Sequence, residues 1–250
     1  MGEKEAEPIE KGIRLLEEGK PEEAVKVLET IAKNEPDNID ACYWLARAHI
    51  EMDQLEPARK HLERILEIQP DNIEAMNVLG YVYSMLGNLT VAASYFERIL
   101  KINPEYQPAW FNLGLIYANM EKPSEATKYL KKAIELNPED VDAWNLLGVV
   151  YGILGDYDKS IECLKQVLKL DNTIKEAWFN IGSAYVAKRN FDEAIRCYEK
   201  VLELDPNDTI TLFVLGKLYV RLGQEEKGIK YIKRACELGY QPACGVLGTQ

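Results

Sequence analysis

The chain has 250 residues, 47% of them apolar and 28% charged, a balance ordinary for a soluble folded protein. Its net charge of −11 argues against a nucleic-acid-binding face and against adsorption to an anionic membrane. No apolar run approaches the roughly 20 residues needed to cross a bilayer.

The start, Met1 to Glu7, is acidic and lacks the apolar centre of a signal peptide. Gly2 follows Met1, but Ala6 stands where a myristoylation pattern wants Ser or Thr. Residues 1–7 therefore read as a polar lead. Pro8 opens a first helix whose apolar face is Ile9, Ile13 and Leu16, since proline is tolerated in a first turn. Gly19-Lys20-Pro21 breaks the chain before a second helix from Glu22 to about Glu35.

From there one pattern returns every 34 residues. It is plainest in Ala109-Trp110-Phe111-Asn112-Leu113-Gly114 with Tyr117, and again in Ala143-Trp144-Asn145-Leu146-Leu147-Gly148 with Tyr151. Ala177-Trp178-Phe179-Asn180-Ile181-Gly182 with Tyr185 follows, and Ala75-Met76-Asn77-Val78-Leu79-Gly80 with Tyr83 precedes. Three columns hold one register: Gly12, Ala46, Gly80, Gly114, Gly148, Gly182, Gly216; then Ala24, Ala58, Ala92, Ala126, Ser160, Ala194, Gly228; then Pro36, Pro70, Pro104, Pro138, Asn172, Pro206, Tyr240. Each unit reads as two helices. Helix A carries its apolar stripe at i, i+3, i+4 and i+7, and helix B carries the small residue with aliphatics or aromatics beyond it. The small columns let A and B approach closely. Gly87, Gly155 and Gly223 end helix A. Asp53, Glu121 and Arg189 replace that glycine elsewhere, which predicts looser turns there. Asn172 and Ser160 make the fifth unit a candidate soft joint.

This pattern resembles the tetratricopeptide repeat. The resemblance implies an all-α, right-handed superhelical solenoid of about seven antiparallel helix pairs, over residues 8–242. The units run 5–38, 39–72, 73–106, 107–140, 141–174, 175–208 and 209–242. The end, Ala235-Cys236-Glu237-Leu238-Gly239 with Ala243 and Leu247-Gly248, resembles the related Sel1-like repeat, and residues 243–250 read as a partial capping helix. Continuation of the protein beyond Gln250 is the alternative.

Chemistry is scarce. Cys42, Cys163, Cys197, Cys236 and Cys244 show no CxxC spacing and read as buried small hydrophobes in a reducing compartment, hence a cytoplasmic location. His49 takes the Tyr column, and His61 reads as outward-facing on helix B. No phosphate loop, metal spacing or distinct carboxylate pair is present, so neither catalysis nor a cofactor or metal is expected.

What remains is a surface. In the family, the concave wall is lined by helix-A residues flanking the Leu-Gly pair. Carried over residue by residue, the peptide-binding set is Tyr43, Arg47, Asn77, Tyr81, Phe111, Asn112, Asn145, Phe179, Asn180, Phe213 and Lys217. Aromatics supply contact area, and Asn can pair with both N–H and C=O of an extended backbone. The resemblance thus implies a non-catalytic protein–protein interaction module for a peptide or helix, an adaptor or scaffold. No unit opens with the Lys and Asn of the family's carboxylate clamp, so an acidic-tail clamp is not expected. A self-assembling homo-oligomeric scaffold is one alternative. A substrate-selecting arm of a larger enzyme is another, though an asparagine ladder of the O-GlcNAc-transferase kind is matched only by Asn112 and Asn180.

Overall fold

A computed structural model describes residues 3–248, with side chains from Pro8 onward. Met1 and Gly2 of the expected lead, and Thr249 and Gln250 of the expected partial helix, lie outside the described residues. Among the described residues every regular element is a helix. The chain divides into two compact units between Glu121 and Lys122. The first holds α1 (Glu3–Glu17), α2 (Pro21–Asn34), α3 (Ile39–Glu51), α4 (Leu55–Ile68), α5 (Ile73–Met85), α6 (Leu89–Ile102) and α7 (Gln107–Asn119). The second holds α8 (Pro123–Leu136), α9 (Val141–Ile153), α10 (Tyr157–Leu170), α11 (Lys175–Ala187), α12 (Phe191–Leu204), α13 (Thr209–Arg221), α14 (Glu225–Glu237) and α15 (Gln241–Gly248). Within each unit, consecutive helices pack against one another. Helix α1 begins at Glu3, so the described part of the expected lead is helical, not an extension ahead of a helix.

The helix starts follow from local chemistry. Asn38, Asn72, Asp140 and Asp208 each accept a hydrogen bond from the N–H three residues on, at 3.0, 2.8, 2.9 and 2.9 Å, satisfying an otherwise orphaned donor. Tyr106 and Ile174 offer no such side chain. There the indole N–H of Trp110 donates to the Pro104 carbonyl at 2.8 Å, and that of Trp178 to the Asn172 carbonyl at 3.1 Å. The clasp needs a carbonyl and no proline, so it persists at Asn172 in the fifth unit.

The helix-A ends correct one expectation. Asp53, Glu121 and Arg189 adopt φ of 57°, 58° and 58°, close to the left-handed conformation of Gly87 at 78°. The turns are closed, not looser. The amide of Asn190 donates to the Tyr185 carbonyl at 2.9 Å, as that of Asn88 does to Tyr83 at 2.9 Å. The tertiary fold imposes a conformation that costs an L-residue about 1–2 kcal/mol.

The small columns set the helix separation. A Cβ built on Gly148 would stand 2.7 Å from Leu164 Cγ, and one on Gly216 would stand 2.8 Å from the Gly228 carbonyl oxygen. The first unit's core is built from clusters around Leu28 and Leu45, and around Leu62 and Leu79. The second unit's core gathers Leu164 with Ile181, Tyr198 with Leu215, and Ile232 with Ala243.

Replacing Arg189 by Gly should raise stability by about 0.5–1 kcal/mol, the left-handed penalty less glycine's extra chain entropy. Chemical denaturation checks this, and a lowered midpoint would refute it. Gly216→Ala should cost about 1–3 kcal/mol because backbone opposes the new methyl. Gly148→Ala should cost less, since the nearest backbone atom there, the Ser160 carbonyl oxygen, stands 3.3 Å from the new methyl. Equal losses for the two would contradict a backbone contact at Gly216.

Candidate binding surface

Repeat spacing delivers the expected site residues to the helix-A elements. In the first unit, Tyr43 and Arg47 lie on α3, Asn77 and Tyr81 on α5, and Phe111 and Asn112 on α7. Arg47 is exposed and Tyr81 is 50% exposed, a large aromatic left in water. Asn112 Nδ2 reaches Asn77 Oδ1 at 3.5 Å, the outer limit of a hydrogen bond. Tyr43 is half-buried, edge-on to Trp44 with ring centroids 5.5 Å apart, and packs against the core. Tyr106, which the repeat pattern does not single out, is half-buried too. Burial, with Glu74 and Tyr43 nearby, pushes its phenol up.

In the second unit, Asn145 lies on α9, Phe179 and Asn180 on α11, and Phe213 and Lys217 on α13. Phe179 and Asn180 share a cleft of about 320 Å³ with Lys175, Val201, Asp208 and Ile210. Ile210 is 50% exposed, and sequence reasoning missed it because it precedes the helix-A stripe. Lys175 Nζ bonds Asp205 at 2.5 Å and Asp208 at 3.1 Å. Those hydrogen bonds raise Lys175, and the one to Asp205 is the main cause lowering that carboxyl. Lys175 was missed because its partners lie one repeat further on. Asn145 Oδ1 is buried with no hydrogen-bond partner among the described residues.

Several lining aromatics also serve the fold. Phe179 packs on Tyr198 with centroids 5.5 Å apart, and Phe213 on Tyr240 at 5.4 Å. Lys217 Nζ sits 5.3 Å from the Phe213 ring centroid, an arrangement that attracts a cation. Lys217 also lines a separate cleft of about 280 Å³ with Arg221, Val246 and Leu247.

Two expectations need correction. Cys236 and Cys244 form a disulfide with Cα atoms 4.8 Å apart, because the turn at Gly239, with φ of 90°, folds α15 back on α14. The cysteines therefore no longer argue as a set for a reducing compartment. His61 does not face outward. It is half-buried and stacked on His49 at 5.6 Å, and burial lowers its pKa. His49 Nδ1 lies 2.8 Å from Gln54 Oε1, so both rings are built into the packing.

Among the described residues no group of three or more His, Cys, Asp or Glu could hold a metal, and no helix is long and apolar enough to cross a membrane. Cys42, Cys163 and Cys197 are buried and reduced. Burial pushes the Cys163 and Cys197 thiols up to about 11, so almost no thiolate exists near neutral pH. Iodoacetamide at about pH 8 should leave all three unlabelled in the folded protein and label them after denaturation. Rapid native labelling of Cys163, read by peptide mass, would contradict the assigned burial.

Tetratricopeptide-repeat family profiles match residues 15–79, 73–106, 108–140, 141–173, 176–208 and 197–230. A MamA protein structure is 25% identical with TM-score 0.62, over 68% of this chain and 92% of that one. YrrB, a tetratricopeptide-repeat protein with an unusual peptide-binding site, is 23% identical with TM-score 0.62, over 74% and 95%. A tetratricopeptide-repeat protein from Parabacteroides merdae ATCC 43184 is 21% identical with TM-score 0.72, over 99% and 98%. No curated protein sequence matches the chain. Repeat period, paired helices and family matches agree, and the chain belongs to the tetratricopeptide repeat family.

Proposed function

We propose that this protein is a non-catalytic interaction module that binds a peptide or helix of a partner protein on its helix-A surfaces, as an adaptor or scaffold. The observation that carries the reading is the α11–α13 cleft, where Phe179, Asn180 and half-exposed Ile210 meet beside the Lys175–Asp208 pair. An apolar floor with an amide able to donate and accept suits an extended backbone with one buried side chain. Tyr81 and the Asn77–Asn112 pair offer the first unit's counterpart. The YrrB likeness supports the fold that presents such a surface, and leaves the partner open.

The test begins by identifying partners captured by the full chain and measuring the affinity of the mapped segment. Asn180→Ala/Ile210→Ser should weaken binding by about tenfold or more with an unchanged melting temperature. Phe179 is kept, because it also packs against Tyr198. Asn77→Ala/Tyr81→Ala tests the first unit in the same way. Undiminished affinity in both variants would remove the helix-A reading.

A further inference from the structure

One internal column of aromatics is interrupted at Cys163 and Cys197. An aromatic of helix A stacks on an aromatic of helix B where His49 meets His61, Tyr83 meets Tyr95 and Tyr219 meets Tyr231. Their centroids are 5.6, 5.7 and 5.8 Å apart, with planes within 8°, 14° and 12° of parallel. In the α9–α10 pair the helix-A ring is Tyr151, but its helix-B counterpart is Cys163. A cavity of about 220 Å³ lies there, bounded by Tyr151, Cys163, Trp144, Lys131, Lys159 and Glu162. Tyr151 is 7% exposed, and on the cavity side its ring faces two flexible cations, Lys159 Nζ at 5.4 Å and Lys131 Nζ at 5.8 Å from its centroid.

The α13–α14 pair shows how the same site looks when filled. The Tyr219 hydroxyl donates to Glu199 Oε1 at 2.9 Å, Lys227 Nζ donates to the Tyr219 oxygen at 2.7 Å, and Tyr231 covers the ring. Tyr83 makes the corresponding bond to Glu63, also at 2.9 Å. Two periods of 34 back from Glu199 stands Lys131, and two back from Lys227 stands Lys159. The α9 site has therefore lost one aromatic ring and one carboxylate, and a cation stands where the carboxylate was. Lys159 is already paired with Asp156 at 2.5 Å, whereas Lys131 forms no ion pair among the described residues. The buried Cys163 thiol stays neutral and adds an apolar wall.

We propose that this slot binds a small aryl-alkanoic acid. Its ring lies on Tyr151 in the place that Tyr231 holds on Tyr219. Its carboxylate pairs with Lys131 and accepts from the Tyr151 hydroxyl, as Glu199 does from Tyr219. The two lysine chains swing off the ring to admit it. Glu162 on the rim disfavours a second negative charge, which selects a monocarboxylate. At the corresponding Tyr185 and Cys197 positions, Glu193 takes the place of Lys159.

The experiment titrates the full chain with phenylpropanoate by calorimetry, with cyclohexylpropanoate and phenylpropanamide as comparators. Phenylpropanoate should bind saturably, and loss of either the planar ring or the charge should weaken it about tenfold. Lys131→Gln should also weaken it about tenfold. Cys163→Tyr should abolish binding by supplying the missing ring, and should raise the melting temperature by about 2–4 °C. Asn180→Ala/Ile210→Ser should leave the titration unchanged, which separates this site from the peptide surface. No saturable binding to the wild type overturns the proposal. So does binding that survives a folded Cys163→Tyr, or that ignores Lys131→Gln should the tyrosine variant fail to fold.

Discussion

The constraint on which the rest depends is the near-contact of helix A with helix B inside each pair. At Gly216 and Gly228 it is backbone against backbone: a Cβ on Gly228 would lie 2.6 Å from the Gly216 carbonyl oxygen. At Gly80, Gly148 and Gly182 the space is taken by the tips of Phe96, Leu164 and Tyr198, each within 2.8 Å of a notional Cβ. Large side chains of helix B therefore lie directly on helix-A backbone, so one glycine lets a pair bury a Phe or a Tyr almost completely. Burial of this kind stabilises by roughly 25 cal/mol per Å² of apolar surface. It can do so only if no methyl intervenes.

Given that separation, the connections need only return the chain to the next start, and several local solutions serve. An Asn or Asp side chain caps the first turn of some A helices, a tryptophan indole ties others to the preceding carbonyl, and α9 has both. The tight turn after helix A is met by glycine or, at a conformational cost, by Asp53, Glu121 and Arg189. Asn172 in place of proline is tolerated for the same reason. The tertiary contacts over-determine the backbone, so no single connecting residue is indispensable.

The aromatic residues divide between two tasks. Phe179 and Phe213 lie on the helix-A surface proposed for a partner, yet each also covers a ring of its own unit. Tyr81, Ile210 and Asn180 carry less of the packing and more of the available surface. The Tyr151 slot lies off this surface, where the repeat departs from its own habit.

Helix period, small columns and the glycine ends of helix A were legible in the residues, because a 34-residue repeat states each requirement several times over. The expected helix-A positions were legible on the same ground, since periodicity alone assigns a residue to a stripe. Other features depend on which side chains meet across elements. The stacking of His61 on His49, the Lys175 bridge to Asp205 and Asp208, and the exposure of Ile210 join positions whose distance a linear pattern does not encode. The Cys236–Cys244 bond likewise exists because one turn reverses α15 onto α14. By itself the sequence determined the fold class, the register and the stripe of each helix. Only the tertiary structure decided which side chains are used up by their neighbours and which remain open, because burial and pairing are properties of assembled helices.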